Sequence, residues 1–164
     1  MNLNMLTAIH LVCCSLAIAA GTKLLSGLFV GHLIPKWFIA FFRCSLAASV
    51  SALLISLFCR QLHPMHWIAM SSVYVSGTAI LSWRIFHLDG IWHSICVSCI
   101  PIVFCLNILL VTAQAFKLIP VLRVLSPTQS EPVFLISQLS VLIIFAVLGA
   151  IVAKRFRNRT NRSL

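Results

Sequence analysis

The sequence predicts an all-α integral membrane protein, a bundle of five transmembrane helices that forms a single domain over residues 1–164. Hydrophobic residues make up 61% of the chain and charged residues only 9%, a balance unlike that of soluble domains. Five apolar stretches are each long enough to cross about 30 Å of hydrocarbon at about 1.5 Å per helical residue. The links between them are too short to form a separate polar domain.

The predicted spans follow in order, at about residues 6–34, 37–59, 65–86, 91–116 and 133–153. No Lys or Arg precedes the first apolar run, and apolar sequence continues past Ala17–Ala19 to Val30, so we expect a retained span rather than a cleaved signal peptide. The second span follows the first after a short link. Asp89 and Gly90 are turn residues and predict the break between the third and fourth spans.

The only sizeable link lies between the fourth and fifth spans, at residues 117–132. Its first half is apolar with two cations, Lys117 and Arg123, which is typical of a segment in the lipid headgroup region. Pro127 and Pro132 prevent a continuous helix in its second half, where Ser and Thr side chains can bond to local backbone groups. We therefore expect a fixed loop before the fifth span.

Small residues spaced four apart provide close-packing faces on the helices. Examples are Ala17 with Gly21 and Gly27 with Gly31 in the first span. Helices in lipid associate through such close contacts and through a few buried polar bonds, because lipid is as apolar as their side chains. We expect packing within one chain, and the same faces leave a homo-oligomer open as the alternative.

The net charge of +10 is concentrated at the predicted membrane edges. The basic tail 154–164, which carries Lys154, Arg155, Arg157, Arg159 and Arg162, places the C-terminus in the cytoplasm and, with five spans, the N-terminus outside. With Lys23, Lys36, Arg43 and Arg84 the inner side holds nine cations, against three outside, namely Arg60, Lys117 and Arg123. The tail predicts contact with anionic lipid rather than nucleic acid.

Polar side chains at membrane depth are costly, and each is a candidate for function. Asn107 and Gln114 share a helical face because they are seven residues apart. With the predicted topology, eight residues form a candidate outer polar cluster that could bind a lipid headgroup or a small polar ligand: His10, His66, Tyr74, Asn107, Gln114, Gln129, Glu131 and Gln138. The alternative for these residues is ordinary hydrogen bonding between helices.

Catalytic residues are not expected, because the chain has only two carboxylates, Asp89 and Glu131, on opposite predicted sides of the membrane. No cofactor is predicted. The six histidines allow a bis-histidine haem, but they lie at or near span ends, where contact with water explains them. Cys96 and Cys99 have CxxC spacing without a second ligand pair, so no metal site is predicted.

The loop sequence Ser126–Pro132 followed by Phe134 fits an (S/A)PTQ-x-EP-x-F motif. With this motif go Pro64–His66, His87–Leu88 with Gly90 and Trp92, Leu106–Asn107, and Gln114–Phe116. On these residues the chain resembles a family of uncharacterised small multi-pass bacterial membrane proteins, and it departs from that family at Lys23 and Arg43. The resemblance implies five spans in a bacterial inner membrane and implies no activity.

Three functional hypotheses follow from the sequence. The first is a non-enzymatic accessory protein that binds a lipid or a protein partner through the outer polar cluster. The second is a redox protein that holds haem or quinone through its histidines. The third is a small transporter or channel with a polar path along Tyr74, Asn107, Gln114 and Gln138.

Overall fold

The computed structural model describes residues 3–30, 33–59 and 65–160, and every regular element in these ranges is an α-helix. The helices follow in the order α1 (Leu3–Val30), α2 (Pro35–Cys59), α3 (Met65–Arg84), α4 (Ile91–Leu118), α5 (Pro120–Leu125) and α6 (Pro132–Thr160). The predicted all-α class is confirmed.

Four helices contain segments that are long and apolar enough to cross a membrane: Met5–Val30, Pro35–Ile55, Ile91–Leu118 and Pro132–Arg155. They correspond to the first, second, fourth and fifth predicted spans. The predicted third span is also a helix, α3, but serines and His66 make it more polar than the others. Four of the five predicted spans therefore qualify by length and composition. The third predicted span, α3, stays a prediction.

Two boundaries differ from the sequence prediction for clear reasons. Helix α2 begins at Pro35, two residues early, because proline has no N–H to lose and its fixed φ suits the first helical position. Helix α6 continues through the basic tail to Thr160, since no Pro or Gly follows Gly149 to end it. Residues 31–32, at the predicted end of the first span, lie outside the described residues.

The helices pack as two neighbouring antiparallel pairs, α1 with α2 and α3 with α4, and α6 packs mainly on α4. Helix α4 is central, because it also contacts α1 and α2 and has 61% of its apolar window buried. Helix α6 has only 6% of its window buried. We call the end that holds the loop 126–131 the loop end, and the end where α6 reaches Lys154 the tail end.

Close packing of α1 on α2 depends on the glycine at position 21. A Cβ atom there would lie 2.8 Å from Cε2 of Phe41 and 3.1 Å from Cδ2 of Phe104, which is closer than carbon atoms pack. Phe41 and Phe104 meet edge to face with centroids 6.1 Å apart. The predicted small face of Ala17 and Gly21 is thus buried within the chain.

The predicted turn between α3 and α4 is present at the tail end. Asp89 donates its backbone N–H to the Phe86 carbonyl at 2.9 Å, and Trp92 donates to the Asp89 carbonyl at 3.1 Å. Gly90 has φ of 53° with ψ of −119°, a backbone conformation that only glycine adopts without strain. The rings of Phe86 and Trp92 stack across this turn with centroids 3.7 Å apart.

Candidate functional site

The chain changes direction sharply after α4, and this change builds a cavity at the loop end. Ile119 is extended because the ring of Pro120 disfavours helical backbone in the residue before it. Pro120 then begins the short helix α5, in which no residue is buried. Val121 and Val124 are 70% and 82% exposed, so α5 presents apolar side chains outward at the loop end.

Glu131 stabilises the loop that follows α5 through hydrogen bonds. Its carboxylate accepts hydrogen bonds from the Ser126 hydroxyl, from the Thr128 hydroxyl at 2.7 Å, and from the backbone N–H groups of Thr128 and Ser130, each at 3.1 Å. These hydrogen bonds favour the ionised form and lower the pKa of Glu131 to about 2, with the Ser126 hydroxyl as the largest cause. The loop is therefore built around a carboxylate that stays charged.

Gln129 joins this loop to the end of α4. Its backbone is left-handed, with φ of 59°, and its side-chain amide donates to the Ala113 carbonyl at 2.7 Å. Phe116 of α4 and Phe134 of α6 meet edge to face with centroids 5.3 Å apart beneath the loop. The loop is thus attached to α4, and α4 contacts α6 through these two rings.

The cavity enclosed by this turn has a volume of about 580 Å³. It is lined by Phe116, Lys117, Arg123, Ser126, Pro127, Thr128 and Gln129. Two side chains in this lining are cations and two carry hydroxyl groups, whereas the Glu131 carboxylate is not part of it. Such a lining suits an anion, because cations bind phosphate or carboxylate oxygens through charge-assisted hydrogen bonds. We call it the loop-end pocket.

Four of the eight predicted site residues lie in or near the loop-end pocket. Gln129 lines it and Glu131 holds its loop in place. Gln138 lies in the first part of α6 and donates to the Leu109 carbonyl of α4 at 3.4 Å. Gln114 lies one residue from Ala113, the acceptor for Gln129, and is half-buried.

The other four predicted residues lie elsewhere. His10 is fully buried, and its Nδ1 lies 2.9 Å from the Ala48 carbonyl, to which it donates between α1 and α2. His66 is half-buried at the start of α3. Tyr74 is 78% exposed on α3 and faces away from the bundle. Asn107 is fully buried on α4. The predicted outer polar cluster is therefore divided between the loop-end pocket, the helix interfaces and the surface of α3.

Asn107 and its neighbours make interhelical polar contacts of the kind that the alternative interpretation expected. Its amide nitrogen donates to the Ser45 hydroxyl of α2 at 2.8 Å and to the Val103 carbonyl of its own helix at 2.9 Å. One turn further along α2, the Ser49 hydroxyl donates to the Ser72 hydroxyl of α3 at 2.9 Å. These two bonds join three helices in the buried interior.

The geometry also bears on the metal and haem hypotheses. Both ring nitrogens of His10 are engaged, since Nε2 lies 3.6 Å from the Cys14 sulfur, whose S–H it can accept. Cys96 and Cys99 are buried free thiols of α4. Across the part of the chain that the structure describes, no group of three His, Cys, Asp or Glu side chains is arranged to hold a metal ion.

Sequence reasoning did not assign Lys117, Arg123 and Ser126 to the site. The two cations were assigned to the headgroup region, and five residues that include Pro120 lie between them. The signal that could have joined them is Pro120 itself, because a turn there folds α5 back toward the end of α4.

Comparison with models of known protein families, with curated proteins and with solved structures found no match to this chain. The argument for a function therefore depends on the geometry of the chain itself. Of the described features, the loop-end pocket combines a sizeable cavity, two cations and a fixed loop in one place.

Proposed function

We propose that this chain is a non-enzymatic, five-span protein of a bacterial inner membrane that binds an anionic headgroup in the loop-end pocket. The observation that carries the proposal is the cavity of about 580 Å³ whose lining includes Lys117 and Arg123. The ligand class is a phosphate-bearing group, either the headgroup of a phospholipid or a free phosphate.

The five-span topology rests on α3 crossing with the other four helices. Helix α3 has 20 residues, a length of about 30 Å at about 1.5 Å per residue, which equals the hydrocarbon thickness. Its polar residues Ser72, Ser76 and Ser82 are buried against neighbouring helices rather than turned toward lipid. A span of this kind is more polar than its neighbours and still presents an apolar surface to the membrane.

The orientation places the loop-end pocket at the outer face and the tail in the cytoplasm, because nine of the twelve cations then lie inside. The loop motif resembles that of small multi-pass bacterial membrane proteins, and this resemblance supports a bacterial inner membrane as the location of the chain. Helix α5, with its exposed Val121 and Val124, would lie in the outer headgroup region beside the pocket. A phospholipid could then place its phosphate between Lys117 and Arg123 and its chains along α5.

The chemistry of the lining favours an anion over a neutral ligand. Lys117 and Arg123 supply the positive charge, whereas the Ser126 and Thr128 hydroxyls already donate their protons to Glu131. Glu131 does not oppose an anion strongly, because its carboxylate already accepts four hydrogen bonds from its own loop. A cation near an anionic lipid surface contributes about 1 kcal/mol, so losing both should weaken binding by roughly thirtyfold.

Thermal unfolding of the purified full chain in detergent tests the proposal, since a ligand that binds the folded state raises the unfolding temperature. Two probes separate the two sources of the ligand: dihexanoylphosphatidylglycerol and inorganic phosphate. A rise with the phospholipid alone identifies a lipid site, and a rise with both identifies a site for the phosphate group itself. The rise should be smaller in the variant Lys117→Ala/Arg123→Ala, which lacks both cations of the pocket.

The variant Lys36→Ala is the matched control, because Lys36 is an exposed cation at the other end of the bundle and lines no part of the pocket. It should keep the full rise. If neither probe raises the unfolding temperature of the unmodified chain, the proposed function is contradicted. It is also contradicted if Lys117→Ala/Arg123→Ala shows the same rise as the unmodified chain.

A further inference from the structure

A second concave feature lies between α4 and α6, in the half of the molecule toward the tail end. Its cavity has a volume of about 430 Å³. One wall is the small-residue face of α6, from Ala146 through Gly149 and Ala150 to Ala153, and the other includes Pro101 and Cys105 of α4. We call this feature the α4–α6 groove. It is a lateral opening rather than a closed cavity, because Ala146 and Ala150 are exposed.

Two features of the α6 sequence, a glycine and two nearby alanines, explain why the groove forms. A Cβ atom added at Gly149 would lie 3.7 Å from Cγ of Pro101, so α6 approaches α4 closely at this level. The lining residues of α6 next to that contact are Ala146 and Ala150, which are too short to fill the space against α4. The result is an apolar channel bounded by helices and open toward the membrane.

The length and depth of the groove match one leaflet of a bilayer. Its lining on α6 runs from Leu142 to Ala153, and the rise between these two residues is about 16 Å at about 1.5 Å per residue. Half of a hydrocarbon core of about 30 Å is about 15 Å. An acyl chain that lies in the groove would therefore reach from the middle of the membrane to the tail-end surface.

Positive charge stands at the surface end of the groove. Lys154 directly follows the last lining residue, Ala153, and is exposed. The next residue, Arg155, is fixed against α1: its guanidinium lies 5.8 Å from the centre of the Phe29 ring and donates to the Phe29 carbonyl at 3.5 Å. The apolar groove thus ends at one exposed cation, Lys154, and at a second, Arg155, that is held in position.

We infer that the α4–α6 groove binds an anionic phospholipid of the tail-side leaflet, with one acyl chain in the groove and its phosphate at Lys154. Basic residues at the mouth of a gap between transmembrane helices are the chemistry that selects anionic headgroups. The apolar lining excludes a polar ligand, and the charge at its end favours an anionic lipid over a zwitterionic one.

A second copy of the chain is the less favoured occupant. Two copies packed through this face of α6 in the same membrane orientation would bring their Lys154 side chains together, and like charges at a helix interface are unfavourable. An anionic lipid neutralises the same charges. Charge complementarity therefore distinguishes the two occupants in favour of the lipid.

Native mass spectrometry of the full chain in mild detergent, with phosphatidylglycerol or phosphatidylcholine added, tests this inference. We expect one phosphatidylglycerol to be retained at this site in preference to phosphatidylcholine. The variant Ala146→Leu/Ala150→Leu should retain one phosphatidylglycerol fewer than the unmodified chain, because the added side chains occupy the groove. Lys154→Gln should weaken retention by roughly fivefold, the equivalent of about one cation near an anionic surface.

Two control variants and Lys154→Gln keep the test decisive. Ala47→Leu makes the same change at an exposed position of α2 outside the groove and should retain the lipid as the unmodified chain does. Lys117→Ala/Arg123→Ala should also retain it, since this site is independent of the loop-end pocket. Lys154→Gln leaves the groove unfilled, so a folding defect in the double leucine variant would not conceal the result.

Two outcomes would overturn the inference. One is equal retention of phosphatidylglycerol by the unmodified chain, the double leucine variant and Lys154→Gln. The other is a dimer of the unmodified chain that the double leucine variant converts to a monomer, because a second copy would then be the occupant of the groove.

Discussion

Glu131 is the residue on which the shape of the loop-end pocket depends, because its carboxylate accepts four hydrogen bonds from three residues of one short loop. The sequence allowed us to predict a fixed loop here from Pro127, Pro132 and their polar neighbours. It could not show that Glu131 accepts hydrogen bonds from its own loop. A carboxylate in a polar loop can equally well bind a ligand or stabilise the loop.

Acid should weaken this loop. The pKa of Glu131 is lowered from 4.5 to about 2 by its hydrogen bonds, so the charged form stabilises the fold above pH 4.5. That contribution is lost as the pH falls through 4.5 toward 2. We expect the unfolding temperature to fall between pH 5 and pH 3 in the unmodified chain and to change less in Glu131→Gln.

Asp89→Asn is the matched control for this pH dependence, because Asp89 is the only other carboxylate side chain in the sequence. It should keep the full fall in unfolding temperature. A fall that is the same in Glu131→Gln as in the unmodified chain would show that another group causes it.

Asn107 illustrates a second limit of sequence reasoning at this scale. Its position within an apolar span marked it as a candidate, but the partner, Ser45, lies 62 residues away and depends on how α2 meets α4. A double-mutant cycle of Asn107→Ala and Ser45→Ala should give a coupling energy of about 0.6 kcal/mol, typical of an interhelical bond in a membrane protein. The measurement is reversible unfolding in mixed micelles, and a coupling near zero would contradict the observed bond.

At the scale of helices, length and composition predicted the elements well, and burial was not predictable. Helices α4 and α6 are both strongly apolar, yet α4 is central and α6 is peripheral. A span that is apolar on every side carries no stripe that marks its buried face, because lipid and protein interior accept the same side chains. The same uniformity conceals the α4–α6 groove, which depends on which face of α6 meets α4.

Packing of α1 against α2 gives a sharp prediction for two glycines. Gly21→Ala should destabilise the chain by about 1 to 3 kcal/mol, because the new methyl group would displace the rings of Phe41 and Phe104. Gly77→Ala on α3 is the control, since no atom lies within 4 Å of the added Cβ and alanine favours a helix. Unfolding in mixed micelles compares the two variants, and equal stabilities would contradict the packing described here.

At the scale of the whole molecule, the charge distribution predicts an orientation, and the path of α3 decides the number of spans. If α3 crosses the membrane, epitope tags inserted after His63 and after Asp89 should be accessible from opposite sides of oriented membrane vesicles. The tag after Asp89 should share the side of the C-terminus. If both tags are accessible from one side, α3 does not cross the membrane. The chain then has four spans, and its two termini lie on the same side.

The central claim is that the loop-end pocket holds an anionic headgroup. Native mass spectrometry of the chain released from its own membrane in mild detergent tests it most directly. We expect the unmodified chain to carry phospholipid with an anionic headgroup, and Lys117→Ala/Arg123→Ala to carry one such molecule fewer. A chain that carries no anionic lipid, or the same number in both forms, would contradict it.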